Sequence, residues 1–289
     1  MAMIHSDAAN HSRDCCVQAK TIDHLMQYTP SPNLSKYIKH YLLFEISNSD
    51  KKRYRHFANG HNGLVFSFNT KGFVSLHSEN PLPETFLFGQ VSEYQDFFIE
   101  GATSVVIVLF QPLGLFALTG MHSSLFTNRM EDAPSVLGKG ISGLQENLFY
   151  SADAIDMIGC LNSFFTKKFD ELTYDHNPYI LNFVSLALKK KGDILVNDLC
   201  SQIGVNERKM QRLFSEQIGV NPKTFLRNIK LHSFLGLTKD KTQSSLTKLG
   251  LEAGYYDQAH LIREFKKTVG LTPSTYLKSK RLAVNLVQI

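Results

Sequence analysis

The sequence predicts an α+β chain in which a small β-barrel or sandwich with helices comes first and an all-helical part follows. Short apolar runs separated by Gly, Asn, Ser and Pro extend to about Gln111, and such spacing is typical of small barrels. From Leu113 onward, apolar residues recur near the helical period of 3.6. A length of 289 residues favours two domains over one.

The N-terminal part is predicted to contain a flexible terminus, one short helix, five strands and three helices. Residues 1–20 are polar and are expected to be flexible. A helix is predicted over Asn33–His40, after Pro30 and Pro32. The strands are predicted at Tyr41–Ile46, Gly63–Phe68, Gly72–His77, Thr85–Phe88 and Ser104–Phe110. The later helices are predicted at Leu113–Leu118, Ser142–Tyr150 and Ala152–Phe169.

A boundary between the two parts is predicted at the polar, proline-containing segment Leu172–Pro178. The domains are therefore expected at residues 21–175 and 176–289, and everything after Pro178 is expected to be helical. Charge changes at the same place. Residues 1–176 carry a net charge of −5, whereas residues 177–289 carry +10. The basic half indicates a polyanionic partner, although a solvated basic surface would give the same balance.

The basic half contains one pattern twice, in Leu199–Phe225 and in Leu249–Tyr276. The second copy has one extra residue in its turn, at Tyr255–Tyr256. Each copy predicts a short helix, a tight turn at a glycine and a second helix that begins after an N-cap residue. The turn glycines are Gly204 and Gly254, the caps Asn206 and Asp257, the closing glycines Gly219 and Gly270, and the following prolines Pro222 and Pro273.

The second helix of each copy is predicted to have an apolar inner face and a polar outer face. In the first copy Met210 and Phe214 point inward, and in the second Leu261 and Phe265 do so. A helix fits the major groove of B-DNA, where Arg and Gln read base edges and apolar groups meet thymine methyls. The segment Pro222–Thr238 is predicted as one connecting helix about 24 Å long. It would hold the second helices of the two copies, here called the reading helices, about one DNA turn, ~34 Å, apart.

On these residues, the segment 180–280 resembles the DNA-binding domain of the AraC/XylS family. The resemblance is carried most specifically by LTKLGLEAGYYDQAHLIREFKKTVGLTPSTY. It implies a sequence-specific transcription regulator that binds double-stranded DNA. By this resemblance the expected base contacts are Arg208, Gln211, Arg212, Gln258, Ile262 and Arg263. The expected phosphate contacts are Asn206, Lys209, Lys223, His260, Lys266 and Lys267. Ile262 replaces a common small polar residue, which predicts that the second helix reads bases weakly or mainly through apolar contact.

The N-terminal half is similar to the sensor-like domains fused to many AraC-type regulators, through YTPSPNLSKYIKHYLLFE, FLFGQ and FQPLGLFALTG. The resemblance implies a cupin-like β-barrel that binds a small effector, forms a homodimer, or both, in an activator that works with RNA polymerase. An aromatic and cationic set near strand ends is the candidate effector site, although the same residues would also suit the core and rim. These residues are Arg53, Arg55, Phe57, Tyr94, Phe97 and Phe98.

Three other functions compete with this one. A metal enzyme is disfavoured because His56, His61 and His77 form no His-x-His pair with a following Glu, so neither catalytic residues nor cofactors are expected. A regulator controlled by a partner protein, and a DNA-binding protein without a regulatory role, stay open. The polar N-terminus lacks the apolar core of a signal peptide, and no apolar run reaches the ~18 residues of a membrane span. A cytoplasmic protein with free thiols is expected.

Overall fold

The computed structural model describes residues 20–22, 25–46, 51–68, 73–76, 81–171, 177–240, 244–283 and 285–289. The predictions for residues 1–19 and for the linker at 172–176 lie outside this range, as do Gly72 and His77 at the ends of one predicted strand. Within the described residues, strands predominate up to Phe110 and helices predominate from Gly114 to Lys278. The predicted α+β class is confirmed.

Two antiparallel sheets form the barrel-like part of the chain. The larger sheet has the order β1-β2-β3-β9-β5-β7-β10, and the smaller has the order β11-β12-β4-β8-β6. The strands of the larger sheet are β1 (Lys20–Ile22), β2 (Leu25–Tyr28), β3 (Ile38–Ile46), β5 (Gly63–Phe68), β7 (Thr85–Phe88), β9 (Thr103–Phe110) and β10 (Met130–Asp132). Those of the smaller sheet are β4 (Lys52–His56), β6 (Phe73–Ser75), β8 (Gln95–Ile99), β11 (Arg281–Ala283) and β12 (Leu286–Gln288).

The larger sheet is buried on both faces, because alternate side chains enter two different cores. In β3, Leu42 and Phe44 pack between the two sheets, whereas Tyr41 and Leu43 pack on the outer face. That outer face is covered by helices, which explains the unbroken apolar runs Tyr41–Phe44 in β3 and Val105–Phe110 in β9. The covering helices are α1 (Gly114–Thr119), α2 (Ala133–Leu137), α3 (Gly140–Phe149) and α4 (Ala154–Glu171).

The prediction of a helix over Asn33–His40 is wrong. Only a 3-10 turn forms, at Pro32–Leu34, and β3 already begins at Ile38. The backbone N–H of Gln111 donates to the Tyr37 carbonyl, and β3 then pairs with β9 along its length. Pairing with β9 therefore places these residues in a strand, although their apolar spacing in the sequence is helical. The predicted strands Gly63–Phe68 and Thr85–Phe88 are confirmed at both ends.

The helical part consists of two lobes that share one long helix. The helices are α5 (Pro178–Lys189), α6 (Val196–Ile203), α7 (Glu207–Gln217), α8 (Pro222–Asp240), α9 (Leu246–Glu252), α10 (Gln258–Val269) and α11 (Pro273–Lys278). The first lobe comprises α5, α6, α7 and the start of α8, and Phe183, Phe214 and Phe225 lie in its core. The second comprises the rest of α8 with α9, α10 and α11, and Phe234 and Phe265 lie in its core. The predicted connecting helix is confirmed as α8.

The prediction that everything after Pro178 is helical is wrong at the C-terminal end, where β11 and β12 form. β12 pairs antiparallel with β4, so Leu286 lies opposite His56 and Val287 opposite Arg55. The N–H of Ile289 donates to the carbonyl of Arg53 at 3.0 Å. Without β12, β4 would be an edge strand with unpaired backbone groups, and local sequence signals cannot reveal so distant a partner. No described helix combines the length and apolar character that crossing a membrane requires.

Candidate nucleic-acid interface

The first repeat unit folds as helix, tight turn and helix. α6 ends at Gly204, which takes the left-handed conformation with φ +76° that L side chains rarely adopt. Asn206 then caps α7, because its side-chain oxygen accepts the backbone N–H of Lys209 at 2.8 Å. Both predicted roles are confirmed, and they fix the angle at which α7 leaves the turn.

The second unit repeats this geometry one residue longer. Gly254 has φ +87° after α9, and Asp257 caps α10 by accepting the backbone N–H of His260 at 2.6 Å. Gly270 ends α10 with φ +72°. The two units are therefore alike in fold, and the extra residue in the second turn leaves its cap intact.

The outer face of α7 is polar and exposed. Met210, Leu213 and Phe214 are buried in the first lobe. The three predicted base contacts of this helix, Arg208, Gln211 and Arg212, are exposed. None of the three appears in a described ion pair or hydrogen bond. Their side chains are thus available to an external partner.

The outer face of α10 is less polar. Leu261 and Phe265 are buried at 0 % exposure, as predicted. Gln258 and Arg263 are exposed, and Ile262 between them is 37 % exposed. An exposed branched apolar residue on a reading face suits contact with a base methyl group rather than hydrogen bonding.

The predicted phosphate contacts divide into two groups. Lys223, Lys266 and Lys267 are exposed. The other three have local structural partners: Asn206 caps α7, the Lys209 ammonium lies 4.2 Å from the Tyr179 ring centroid, and His260 Nδ1 accepts the Tyr256 backbone N–H at 3.3 Å. Phosphate contact by either group stays a prediction.

The candidate effector residues do not line one cavity. Arg53 and Arg55 both pair with Asp96, through Arg53 Nη2 at 2.6 Å and Arg55 Nε at 2.7 Å. These pairs, opposed by partial burial, hold the pKa of Asp96 below its usual value. The Tyr94 ring centroid lies 3.8 Å from the Arg55 guanidinium carbon. Five of the six residues lie outside the linings of the two cavities described below, to which only Phe97 contributes.

The remaining members of that set are spread over different parts of the molecule. Phe57 is fully buried in the second lobe's core, where its ring meets Tyr276 edge-on at 5.8 Å. Phe97 lies in the core between the sheets. The Lys51 ammonium lies 4.3 Å from the centroid of the Phe98 ring. Their assignment to an effector site stays a prediction. No three His, Cys, Asp or Glu side chains of the described residues gather as metal ligands would.

The N-terminal part contacts the C-terminal ends of both reading helices, which the sequence did not reveal. Thr127 Oγ1 donates to the Gly219 carbonyl, just after α7, at 2.6 Å. Arg55 Nη1 lies 3.5 Å from the Val269 carbonyl at the end of α10. A Cβ on Gly270 would lie 2.3 Å from that same Arg55 atom, so the approach is close. These contacts join residues far apart in the chain, and no local motif announces them.

Comparison with known proteins agrees with this geometry. A family model described as a helix-turn-helix domain matches residues 199–279, and one described as a domain of unknown function matches residues 26–132. A helix-turn-helix-type transcriptional regulator of Haemophilus influenzae is 31 % identical over 99 residues, covering 34 % of this chain and 33 % of that protein. The regulator MtrA of Neisseria gonorrhoeae is 25 % identical over 83 residues, covering 29 % and 27 %. The matched region thus spans a third or less of these relatives.

Among solved structures, ToxT from Vibrio cholerae aligns over 82 % of this chain and 97 % of its own, with 12 % identity and a TM-score of 0.48. So loose a superposition carries no argument about ligands. Two helix-turn-helix units joined by one helix define the class: this is a tandem helix-turn-helix protein. Residues 199–279 form an AraC-type helix-turn-helix domain, and curated relatives of that domain are named transcriptional regulators.

Proposed function

We propose that the chain is a sequence-specific DNA-binding transcription regulator that reads the major groove with α7 and α10. The observation that carries the proposal is the pair of capped helices whose outer faces are exposed and carry Arg or Gln side chains. Arg208, Gln211 and Arg212 would contact bases from α7, and Gln258, Ile262 and Arg263 from α10. The net charge of +10 in residues 177–289 favours binding to a polyanion.

Base and phosphate contacts differ in what they contribute. Arg and Gln at base edges select sequence, whereas Lys223, Lys266 and Lys267 would neutralise phosphates and set register. Asn206, Lys209 and His260 are proposed phosphate contacts as well, through the ends of side chains that also support the fold. Since the two units are alike but not identical, a non-palindromic site follows.

The experiment is selection of a binding site in vitro by the full-length protein, followed by competition against random DNA at one fixed salt concentration. A specific regulator should prefer its selected site by roughly 10³-fold or more. Lys167→Ala, which removes an exposed charge from α4 in the N-terminal part, serves as the control and should keep the same preference. Preference below about tenfold would contradict the proposal and leave a non-specific DNA binder.

Regulation forms the second half of the proposal. The N-terminal part would bind a small effector and transmit its presence through the contacts at Gly219 and Val269. Control by a partner protein without a small ligand is the alternative. Activation through RNA polymerase, a cytoplasmic location and the absence of a catalytic role belong to the same proposal. Homodimer formation is supported by Phe149, Tyr150 and Ile155, which are 63 %, 81 % and 64 % exposed near one another in the chain.

A further inference from the structure

A cavity of about 250 Å³ lies where the barrel, α8 and the C-terminal strands meet. Its walls come from β2, β3, the segment before β5, β9, helix α8, and β11 with the turn that follows it. A ligand in this cavity would therefore contact both the N-terminal part and the helix that joins the two lobes. No residue of the predicted effector set contributes to it.

The cavity is lined by basic side chains. None of its lining residues, among those that the structure describes, is an Asp or Glu. This is notable because residues 1–176 are acidic overall, with a net charge of −5. A concave site whose charges have one sign attracts the opposite charge. The basic lining residues are Lys39, His40, His61, His232, Lys239 and Arg281.

An irregularity in β3 brings Lys39 into this set. The register against β9 shifts there, because Ile38 pairs with Phe110 and His40 pairs with Leu109, which leaves Lys39 as an extra residue. Adjacent residues of a regular strand point to opposite faces. Here Lys39 and His40 both line the cavity. A bulge re-aims a side chain in this way, and bulges occur often beside functional sites.

Lys39 lacks a carboxylate partner among the described ion pairs, and its Nζ instead lies 2.7 Å from His61 Nε2. Burial, followed by the charge of Lys39, lowers the pKa of His40 to about 4, and the same two causes lower that of His232 to about 4. The pKa of His61 lies well below 6.5 for the same reasons. Mainly because of burial, the three histidines are neutral at pH 7, and an anion beside Lys39 would offset only the smaller, electrostatic part of these shifts.

The rest of the lining combines apolar side chains with the amides of Gln27, Asn59 and Asn285. Leu25, Leu42 and Leu109 lie in the wall of the basic cavity. Leu42 and Leu109 also line a second, apolar cavity between the two sheets, which has a volume of about 60 Å³. A molecule with only a charged group would leave these leucine surfaces facing water, whereas one with an apolar portion would cover them.

We propose that this cavity binds a small organic anion, whose carboxylate or phosphate group meets Lys39 and Arg281 and whose apolar portion lies against Leu42 and Leu109. The proposal rests on the proposed function only in that the anion would be the regulator's effector. Binding itself needs no DNA. An anion here would hold β3, α8 and β11 together, and α8 sets the relation of the two reading helices.

The test is thermal unfolding of the full-length protein with four six-carbon probes: hexanoate, hexyl phosphate, 1-hexanol and hexylamine. One or both anions should raise the melting temperature in a saturable way, because a ligand that binds only the folded state stabilises it. The alcohol and the amine should not. No rise with either anion would overturn the proposal. An equal rise with inorganic phosphate alone would overturn its apolar part.

Variants then locate the site. Lys39→Met and Arg281→Met should each weaken the binding of the active anion about tenfold, the loss expected for one charge-assisted hydrogen bond. If one of them does not fold, the other decides. Lys167→Met, which removes a distant exposed lysine, and Arg212→Ala, which alters the DNA-reading surface, should leave anion binding unchanged. Unchanged binding in both cavity variants would place the anion elsewhere.

Selection of a DNA site without any anion separates the two proposals. Selective DNA binding with no response to the probes would overturn the anion site alone. A probe response lost in Lys39→Met and Arg281→Met, in a protein that selects no DNA sequence, would uphold the cavity and overturn the proposed function.

Discussion

The two helix-turn-helix lobes share a fold but differ in how they are joined to the barrel. In the first lobe, Leu113 is the one residue from the N-terminal part within the described buried core. The second lobe takes Phe57 from the segment after β4 and Val287 from β12 into its core. The second lobe is thus built together with the barrel, whereas the first is held mainly by surface contacts. The difference indicates that α7, in the first lobe, can move more freely than α10.

The largest predicted effect tests this shared core. Phe57→Ala should lower the free energy of unfolding by about 3–5 kcal/mol, because it leaves a cavity beside Tyr276 in the second lobe. Urea unfolding measures the loss. Phe149→Ala, which truncates a ring that is 63 % exposed, should cost less than about 1 kcal/mol.

Hydrogen exchange sharpens the same comparison. In Phe57→Ala, amide exchange should quicken in α10 and α11 and stay near its original rate in α7, because Phe57 packs only in the second lobe. Equal acceleration in both reading helices would show that the two lobes unfold together. The distinction between them would then be one of contact and not of stability.

Two glycines of the first lobe allow the cost of backbone strain to be compared with the cost of a close contact to the N-terminal part. Gly204 has φ +76° and open space around it, so Gly204→Ala should cost about 1–2 kcal/mol of backbone strain. Gly219 has φ +97°, and a Cβ there would lie 2.8 Å from the Ser123 carbonyl oxygen and from Thr127 Oγ1. Gly219→Ala should therefore cost about 1 kcal/mol more. Equal losses in chemical unfolding would mean that the contact with the N-terminal part is loose.

The reading faces form the second comparison. Arg212→Ala should weaken binding to the selected site by about 1–3 kcal/mol and relax the preference at one base pair. Ile262→Ala should cost about 1 kcal/mol, because a partly exposed apolar contact is lost without an unpaired polar group. Titrations with the selected duplex and with single-base substitutions measure both. A larger loss for Ile262→Ala would reverse the assignment of the dominant reading helix.

The smallest effect concerns a phosphate contact. Lys267→Ala should weaken binding to every duplex alike and should lower the slope of log K against log salt by about one. Affinities measured at several salt concentrations on selected and random DNA provide the check. A loss confined to the selected site would move Lys267 into the group of base contacts.

Much of the helical part could be predicted because its signals are local. Glycines at the turns, Asn206 and Asp257 as caps, and apolar spacing along each helix all act within a few residues. The strands Gly63–Phe68 and Thr85–Phe88 were predictable for the same reason, since turn residues flank short apolar runs. Side-chain exposure on α7 and α10 then follows from helical geometry.

The remainder depends on pairing between distant segments. Residues 38–40 enter β3 because β9 lies beside them, although their spacing is compatible with a helix. β4 and β8 carry Arg53, Arg55 and Asp96. These charges interrupt the apolar alternation by which a strand is predicted, and only the pairing of the two strands brings them together as ion pairs. The basic cavity combines side chains from β3, α8 and β11, and no local motif predicts such an arrangement.

The contacts at Thr127 and Arg55 join the ends of both reading helices to the N-terminal part. One added base pair between the two half-sites would turn one of them by roughly 35° about the duplex axis. A chain connected through α8 alone would follow this rotation by bending, but one fixed at both helix ends has little freedom to do so. The protein should therefore accept a single spacer length in its operator.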